Sequence, residues 1–367
     1  MLNRKKTLLF SALLSPIGLL LLTGVSAEKI KYAQEKLFIF DGKVYKPGDT
    51  VYGFKNYIKL VVGDDDSPLI LAVPHDGTGK GEPEMPETST TGRDINTLPL
   101  ATEIAANFKS ATKKRPWIII NTVGRKIVDP NTFPHEVAQR YLNQDAKNTY
   151  LSYHSLLKAA IERMSFAQKA GKGALFLDVH GHAHAYLSPQ SYTSASGKTL
   201  TSKYIDQTEI GYGLSKYAIS QSDEYLDNLA DSSTIAAIAK ANPKERFSNL
   251  LRGPNSFGGL LAAESVIAVP SPNISILAPD ADLFGNDSRG NAKRRPYFNG
   301  GYCVRNYGTS LLGNSIGFQS NISAIQIETP GITVRNNPSI IKISAARFSK
   351  TIINYLNYWY GYSYKNK

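Results

Sequence analysis

An α/β fold, a sheet with helices packed on its faces, is what this sequence predicts. Three short apolar runs, Pro68–Val73, Trp117–Asn121 and Ala174–His180, lack the polar alternation of half-exposed strands, as strands buried on both faces do. Segments with apolar residues at helical spacing separate these runs, which is the alternation of an α/β sheet. With 367 residues, 42% hydrophobic and 20% charged, the composition is that of an ordinary globular chain. It excludes a collagen, an acidic disordered chain and a multispan membrane protein.

The elements follow in order. Asn3-Arg4-Lys5-Lys6, the apolar run Thr7–Leu22 and the small residues Val25-Ser26-Ala27 form the three-part pattern of a secretory signal peptide over 1–27. The chain is therefore expected to be secreted or periplasmic, with 28–367 as a single domain. Leu37–Phe40, Val51–Tyr52 and Tyr57–Val62, broken by Asp41-Gly42 and Pro47-Gly48, read as a small β-rich entry. After the first buried strand comes Pro74-His75-Asp76-Gly77-Thr78-Gly79, then a polar loop over 80–93. Leu98, Ala101, Ala105 and Phe108 follow helical spacing, with Thr97 as a cap that leaves Asp94 available. A second helix is expected over Tyr150–Met164. The Ser-, Asn- and Pro-rich stretch at about 188–280 reads as an insertion between sheet strands, with one helix near Ser233–Lys240. Ile322–Glu328 is the last strand, and Asn337-Pro338 caps a terminal helix.

Charge and cysteine usage narrow the function classes. The formal charge is +12, and removal of 1–27 takes away three of those positive charges. A basic exported protein is attracted to anionic envelope surfaces. No Arg/Lys-rich run with interleaved aromatics is present, so nucleic acid is not an expected partner. The single cysteine, Cys303, excludes an internal disulfide and a Cys-rich zinc site, and no histidine follows position 184 to activate it. There is no Gly-x-Ser-x-Gly elbow, and Gly77-Thr78-Gly79-Lys80-Gly81 lacks the spacing and the Lys-Ser/Thr ending of a phosphate loop.

What remains is histidine and carboxylate. All six histidines lie between positions 75 and 184. In open α/β sheets ligands gather beyond the carboxyl ends of strands, where this chain has His75, the Asp178–His184 run and Glu328. His180, His182 and His184 have period two and could form a local three-histidine site. A site shared between His75 and His180, with a carboxylate from Asp76, Asp94 or the acidic loop, suits catalytic zinc better. Asp178 could orient a histidine from behind. In Ser323–Glu328, Ile325 and Ile327 share one face and Gln326 and Glu328 the other. A carboxylate at the end of so apolar a strand is costly to bury unless it is paired or used.

At these residues the sequence resembles the N-formylglutamate amidohydrolase family, in its secreted branch. The matching pieces run from about Tyr57 to Arg335: Leu71–Thr78, Asp94 ahead of a helix, Arg125–Asn131, Tyr153-His154, Leu177–His182, Phe298–Tyr302 and Gln326–Glu328. The resemblance implies a three-layer fold similar to the zinc carboxypeptidases and aspartoacylases, of the phosphorylase/hydrolase-like type: a mixed sheet of about eight strands with helices on both faces. It also implies one zinc per chain, held by His75, His180 and a carboxylate, which we assign to Asp94 over Asp76. Glu328 is then the residue that activates water. Thr78 stands where carboxypeptidases carry a glutamate ligand, and Thr132 where the family carries an arginine.

The expected function is an exported zinc-dependent amidohydrolase acting on an N-acyl amino acid, a peptide or a cell-wall-type amide. Arg125 would face the developing oxyanion or a substrate carboxylate. Arg305, His182 and Asn131 are further substrate-binding candidates. His154 is expected to pack its helix on the sheet, and His135 and His184 to be structural or exposed. A carboxypeptidase-like zinc peptidase and a non-catalytic cell-surface glycan-binding protein with the same fold are the alternatives.

Overall fold

Strands buried on both faces need helices on both sides, and the computed structural model has this arrangement. It describes residues 37–88, 92–167, 172–182, 190–193, 199–202, 207–274, 297–308 and 321–365. The expected signal peptide and His184 lie outside the described residues.

A hairpin of β1 (Phe38–Phe40) and β2 (Lys43–Tyr45) forms the N-terminal entry. The central sheet takes β3 (Thr50–Tyr52), β4 (Ile58–Val61), β5 (Leu69–Val73), β6 (Trp117–Asn121) and β7 (Ala174–His182). A separate hairpin, β8 (Gln190–Thr193) with β9 (Thr199–Ser202), follows. The sheet is completed by β10 (Thr208–Gly211), β11 (Ala268–Val269) and β12 (Ile322–Pro330). Its eight strands run in the order β11-β10-β12-β7-β5-β6-β4-β3. The four central strands are parallel, and antiparallel pairs join β10 to β12, β6 to β4 and β4 to β3. This is the expected mixed α/β sheet.

Alternation along the strands sorts side chains between two cores. Leu69, Leu71, Val73, Leu175, Leu177, Ile325 and Ile327 pack with α1 (Thr97–Thr112) and the long C-terminal helix, Pro338–Tyr360. Ile70, Ala72, Phe176 and Ala324 pack on the other side, with residues Tyr153, Leu157 and Ile161 of Gln144–Ala167. The same parity carries Asp178, His180, Gln326 and Glu328 on the second side. Glu328 is the register partner of His180, and Gln326 of Asp178. His75 lies just past the end of β5, so the three segments meet at the carboxyl end of the sheet.

Two expectations are corrected here. The 188–280 stretch is not merely inserted between strands, because it supplies β10 and β11 to one edge of the main sheet. These strands are four and two residues long, too short to show a period in a polar background. The cap of α1 is Asp76 and not Thr97. Asp76 Oδ2 accepts from Leu98 N–H at 2.8 Å and Oδ1 from Asn96 N–H at 3.3 Å, while Thr97 Oγ1 donates to the Asp94 carbonyl. An anionic side chain at a helix N-terminus satisfies unpaired N–H groups and the helix dipole together. The C-terminal helix starts as expected, with Asn337 accepting from Ile340 N–H at 3.1 Å and Pro338 in the first turn. Among the described residues no helix is long and apolar enough to cross a membrane.

Candidate functional site

His75, Asp94 and His180 converge at this end of the sheet, all buried, with one ligand atom from each lying within 4.8 Å of the others. Asp94 Oδ2 is 3.2 Å from both His75 Nδ1 and His180 Nδ1, and it accepts from Gly181 N–H at 3.1 Å. The far nitrogen of each ring also meets a carboxylate. His75 Nε2 is 2.7 Å from Asp129 Oδ1, and His180 Nε2 is 3.0 Å from Asp178 Oδ2. Two imidazoles that share one carboxylate oxygen at Nδ1, and are each backed by another carboxylate at Nε2, form the donor set of a three-ligand metal site. The residues present fit a divalent ion such as zinc.

Asp76 is excluded from this set by its other contacts. Besides capping α1 it holds Arg93, whose Nη2 is 2.7 Å from Asp76 Oδ1. His182 does not join either. Its Nε2 lies 2.8 Å from the Gln207 carbonyl, so among the described residues the group that could hold a metal is His75, Asp94 and His180, and the local three-histidine arrangement, which needs His184, lies outside them.

The electrostatics follow from burial and neighbours. Burial alone would raise the Asp94 pKa, but the adjacent His75 and His180 rings hold it well below the usual carboxylate range. Asp129 is held low in the same way by His75 and Arg125. Burial opposes protonation of His180, yet Asp178 and Asp94 drive its pKa well above the ordinary value. Glu328 is the opposite case. Burial, reinforced by Asp94 and Glu209, pushes it up to about 8, against the pull of His180. Its Oε1 lies 3.9 Å from His180 Nδ1.

A cavity of about 730 Å³ opens over this cluster, walled by Arg93, Arg125 and Asp129 on one part and by residues 297–301 on another. Arg125 is fixed by Asp129, with Nε 3.2 Å from Oδ2, and its Nη1 is 3.5 Å from Asp94 Oδ1. The 297–301 segment is held by side chains of the sheet. Phe298 N–H donates to Glu209 Oε2 at 3.1 Å, and Gly301 N–H donates to Gln326 Oε1 at 2.7 Å. Gln326 Nε2 in turn donates to Glu328 Oε1 at 3.0 Å, so one amide orients the carboxylate and the cavity wall together.

The remaining candidates separate. Asn131 lines the cavity, but its Oδ1 accepts from Cys303 N–H at 2.9 Å and its Nδ2 lies 2.9 Å from His180 Nε2. Its contacts brace the site from within. Arg305 is corrected: it is not in the cavity wall, and its Nε donates to the Gly300 carbonyl at 3.0 Å. The arginine sits on a short helix, Tyr302–Tyr307, and its Nε bond ties that helix to the wall segment. His154 ties its helix to the Tyr302–Tyr307 helix and the loop at Pro130 and not to a sheet strand, with Nδ1 2.9 Å from Tyr307 Oη and Nε2 3.0 Å from the Pro130 carbonyl. Cys303 is buried and its thiol pKa is pushed up, which removes it as a nucleophile. Thr132 bonds Tyr141 Oη at 2.8 Å and receives Arg140 Nη1 at 2.9 Å, inside the loop that presents Asp129.

Sequence reading missed Asp129 as the partner of His75, Arg93 at the cavity, and Gln326 as the residue that orients Glu328. Gln326 carried a signal in its two-residue offset from Glu328 on one strand face, and Asp129 only in lying within the Arg125–Asn131 piece.

No protein-family model and no curated protein sequence matches this chain. Among solved structures, it is similar to N-formylglutamate amidohydrolase from Ralstonia eutropha JMP134, with a TM-score of 0.41 and 11% identity over 82% of this chain and 97% of that one. It is also similar to gene product Atu2144 from Agrobacterium tumefaciens, with a TM-score of 0.40 and 10% identity over 79% and 89% of the two chains.

Proposed function

We propose that the chain is an exported metal-dependent hydrolase of amide bonds that holds one zinc at His75, Asp94 and His180. The observation that carries this reading is the convergence of His75 and His180 on Asp94 with a carboxylate near the far nitrogen of each imidazole; at His75 that pair fixes the ring tautomer that leaves Nδ1 bare toward a metal. Bound zinc would polarise the scissile carbonyl, acidify a water and, through its charge, lower the Glu328 pKa.

The chain's own residues supply the rest. Glu328, oriented by Gln326, takes the proton of the attacking water and returns it to the leaving amine. Arg125, locked by Asp129, offers its guanidinium to the developing oxyanion or to a substrate carboxylate. His182 and Asn131 support the strand ends around these groups. A cavity of about 730 Å³ lies in the range that encloses ligands larger than a single amino acid. An acylated peptide or a cell-wall-type amide therefore fits as well as an N-acyl amino acid. The net charge of +9 left once residues 1–27 are removed (39 Lys and Arg against 30 Asp and Glu) would hold the exported protein near anionic envelope surfaces.

The test is hydrolysis of a panel of N-acyl amino acids and N-acyl peptides by zinc-loaded protein, with His75→Ala and His180→Ala alongside. Amine release by the wild type, and its loss together with zinc in both variants, is the expected result. Zinc binding with no hydrolysis of any amide would leave a metal-binding module and overturn the enzymatic reading.

A further inference from the structure

Arg335 closes the wide five-residue turn Gly331–Arg335 that follows β12, and its side chain is buried. Its guanidinium donates to main-chain carbonyls of three separate segments. Nε and Nη2 reach the Thr329 carbonyl at 3.2 and 2.9 Å, Nη2 reaches the His182 carbonyl at 3.1 Å, and Nη1 reaches the Ile95 carbonyl. Each acceptor adjoins the site: Thr329 follows Glu328, Ile95 follows Asp94, and His182 ends the strand that carries His180. The link is reciprocal, since Asn96 Nδ2 donates to the Arg335 carbonyl at 2.8 Å.

Gly181 makes room for this group. A Cβ at Gly181 would lie 2.2 Å from the guanidinium carbon, so the planar cation sits directly against the backbone between His180 and His182. Gly181 N–H is in turn one of the donors to Asp94 Oδ2. The carbonyls at the ends of β7 and β12 must find donors once buried, and a planar fork of five N–H groups satisfies several at fixed angles. A lysine ammonium is a compact point charge and cannot span the same three positions.

We propose that Arg335 is a positioning residue that sets the metal affinity of the site, by locking the ends of β7 and β12 and the entry to α1 into one frame. The inference rests on the metal-site reading above. The experiment is a zinc titration of purified full-length protein against a chromophoric chelator, for the wild type, Arg335→Lys, Arg335→Ala, Gly181→Ala and the core control Ile352→Val, with thermal midpoints recorded. Removing outer partners of metal ligands costs about 10- to 100-fold in affinity, so Arg335→Lys, Arg335→Ala and Gly181→Ala should each weaken zinc by that factor. Because Gly181→Ala expels the same guanidinium, the Arg335→Ala/Gly181→Ala double variant should be no weaker than the worse single variant. Ile352→Val should lower the thermal midpoint and leave affinity within twofold. Should Arg335→Ala fail to fold, Arg335→Lys and Gly181→Ala decide the matter alone. Wild-type affinity in folded Arg335→Lys would overturn this inference and leave the metal site standing. An equal loss in Ile352→Val would reduce Arg335 to general stability, and a wild type that binds no zinc would overturn both readings.

Discussion

Glu209 offers a test whose size follows from its surroundings. It lies on β10 opposite Glu328, fully buried, and accepts from Phe298 N–H through Oε2. Burial raises its pKa from 4.5 to about 8, against the weaker pull of that hydrogen bond and of Lys216. Between those values the folded state keeps a proton that the unfolded chain has released, so stability falls as pH rises through this window. Below about 4.5 the group contributes no pH dependence, and above about 8 the loss is complete. At about 1.4 kcal/mol per pH unit the full loss is roughly 5 kcal/mol. Glu209→Gln keeps an acceptor for Phe298 N–H but has nothing to titrate. The variant should therefore gain on the wild type progressively from pH 5 to pH 8, by several kcal/mol, in urea denaturation followed by circular dichroism. Subtracting one protein from the other cancels the titration of groups remote from position 209, and making the same comparison in a Glu328→Gln background removes the one neighbour whose pKa Glu209 helps to raise. A stability gap that stays flat across this range would refute a neutral, buried Glu209.

Further outcomes are expected at neighbouring positions. Glu328→Gln should keep its zinc and its fold while turnover falls by roughly 10²- to 10⁴-fold, read in the amide panel; loss of zinc would make Glu328 a ligand. Asp129→Asn removes the carboxylate behind His75 and should weaken zinc by about 10- to 100-fold in the chelator titration. Asp76→Ala should lower stability by about 1 kcal/mol through the lost helix cap, with zinc content unchanged in metal analysis.

How far the sequence could be read depended on the range of the interaction. Trp117–Asn121 forms a strand with the bounds expected, and Asn337-Pro338 caps its helix, because burial on both faces and local capping are written in adjacent residues. The two-residue parity of Gln326 and Glu328 was legible for the same reason. What stayed hidden acts across long separations. Asp76 caps a helix 22 residues away from a loop, and Asn96 enters that helix at a φ of 66°, which no spacing announces. Asp129 reaches His75 across 54 residues, and Arg335 reaches Ile95 across 240. Arg305 misled because an arginine beside a Gly-Gly segment looks like an anion site, whereas its guanidinium is engaged by the Gly300 carbonyl.

The central claim is that His75, Asp94 and His180 hold a metal. The most direct measurement is a crystal structure of zinc-loaded protein with anomalous data collected at the zinc edge. One anomalous peak per chain is predicted, about 2.0–2.2 Å from His75 Nδ1, His180 Nδ1 and an Asp94 carboxylate oxygen. A peak on His182 without His75, or crystals grown in zinc that show no peak between the two histidines, would contradict the account.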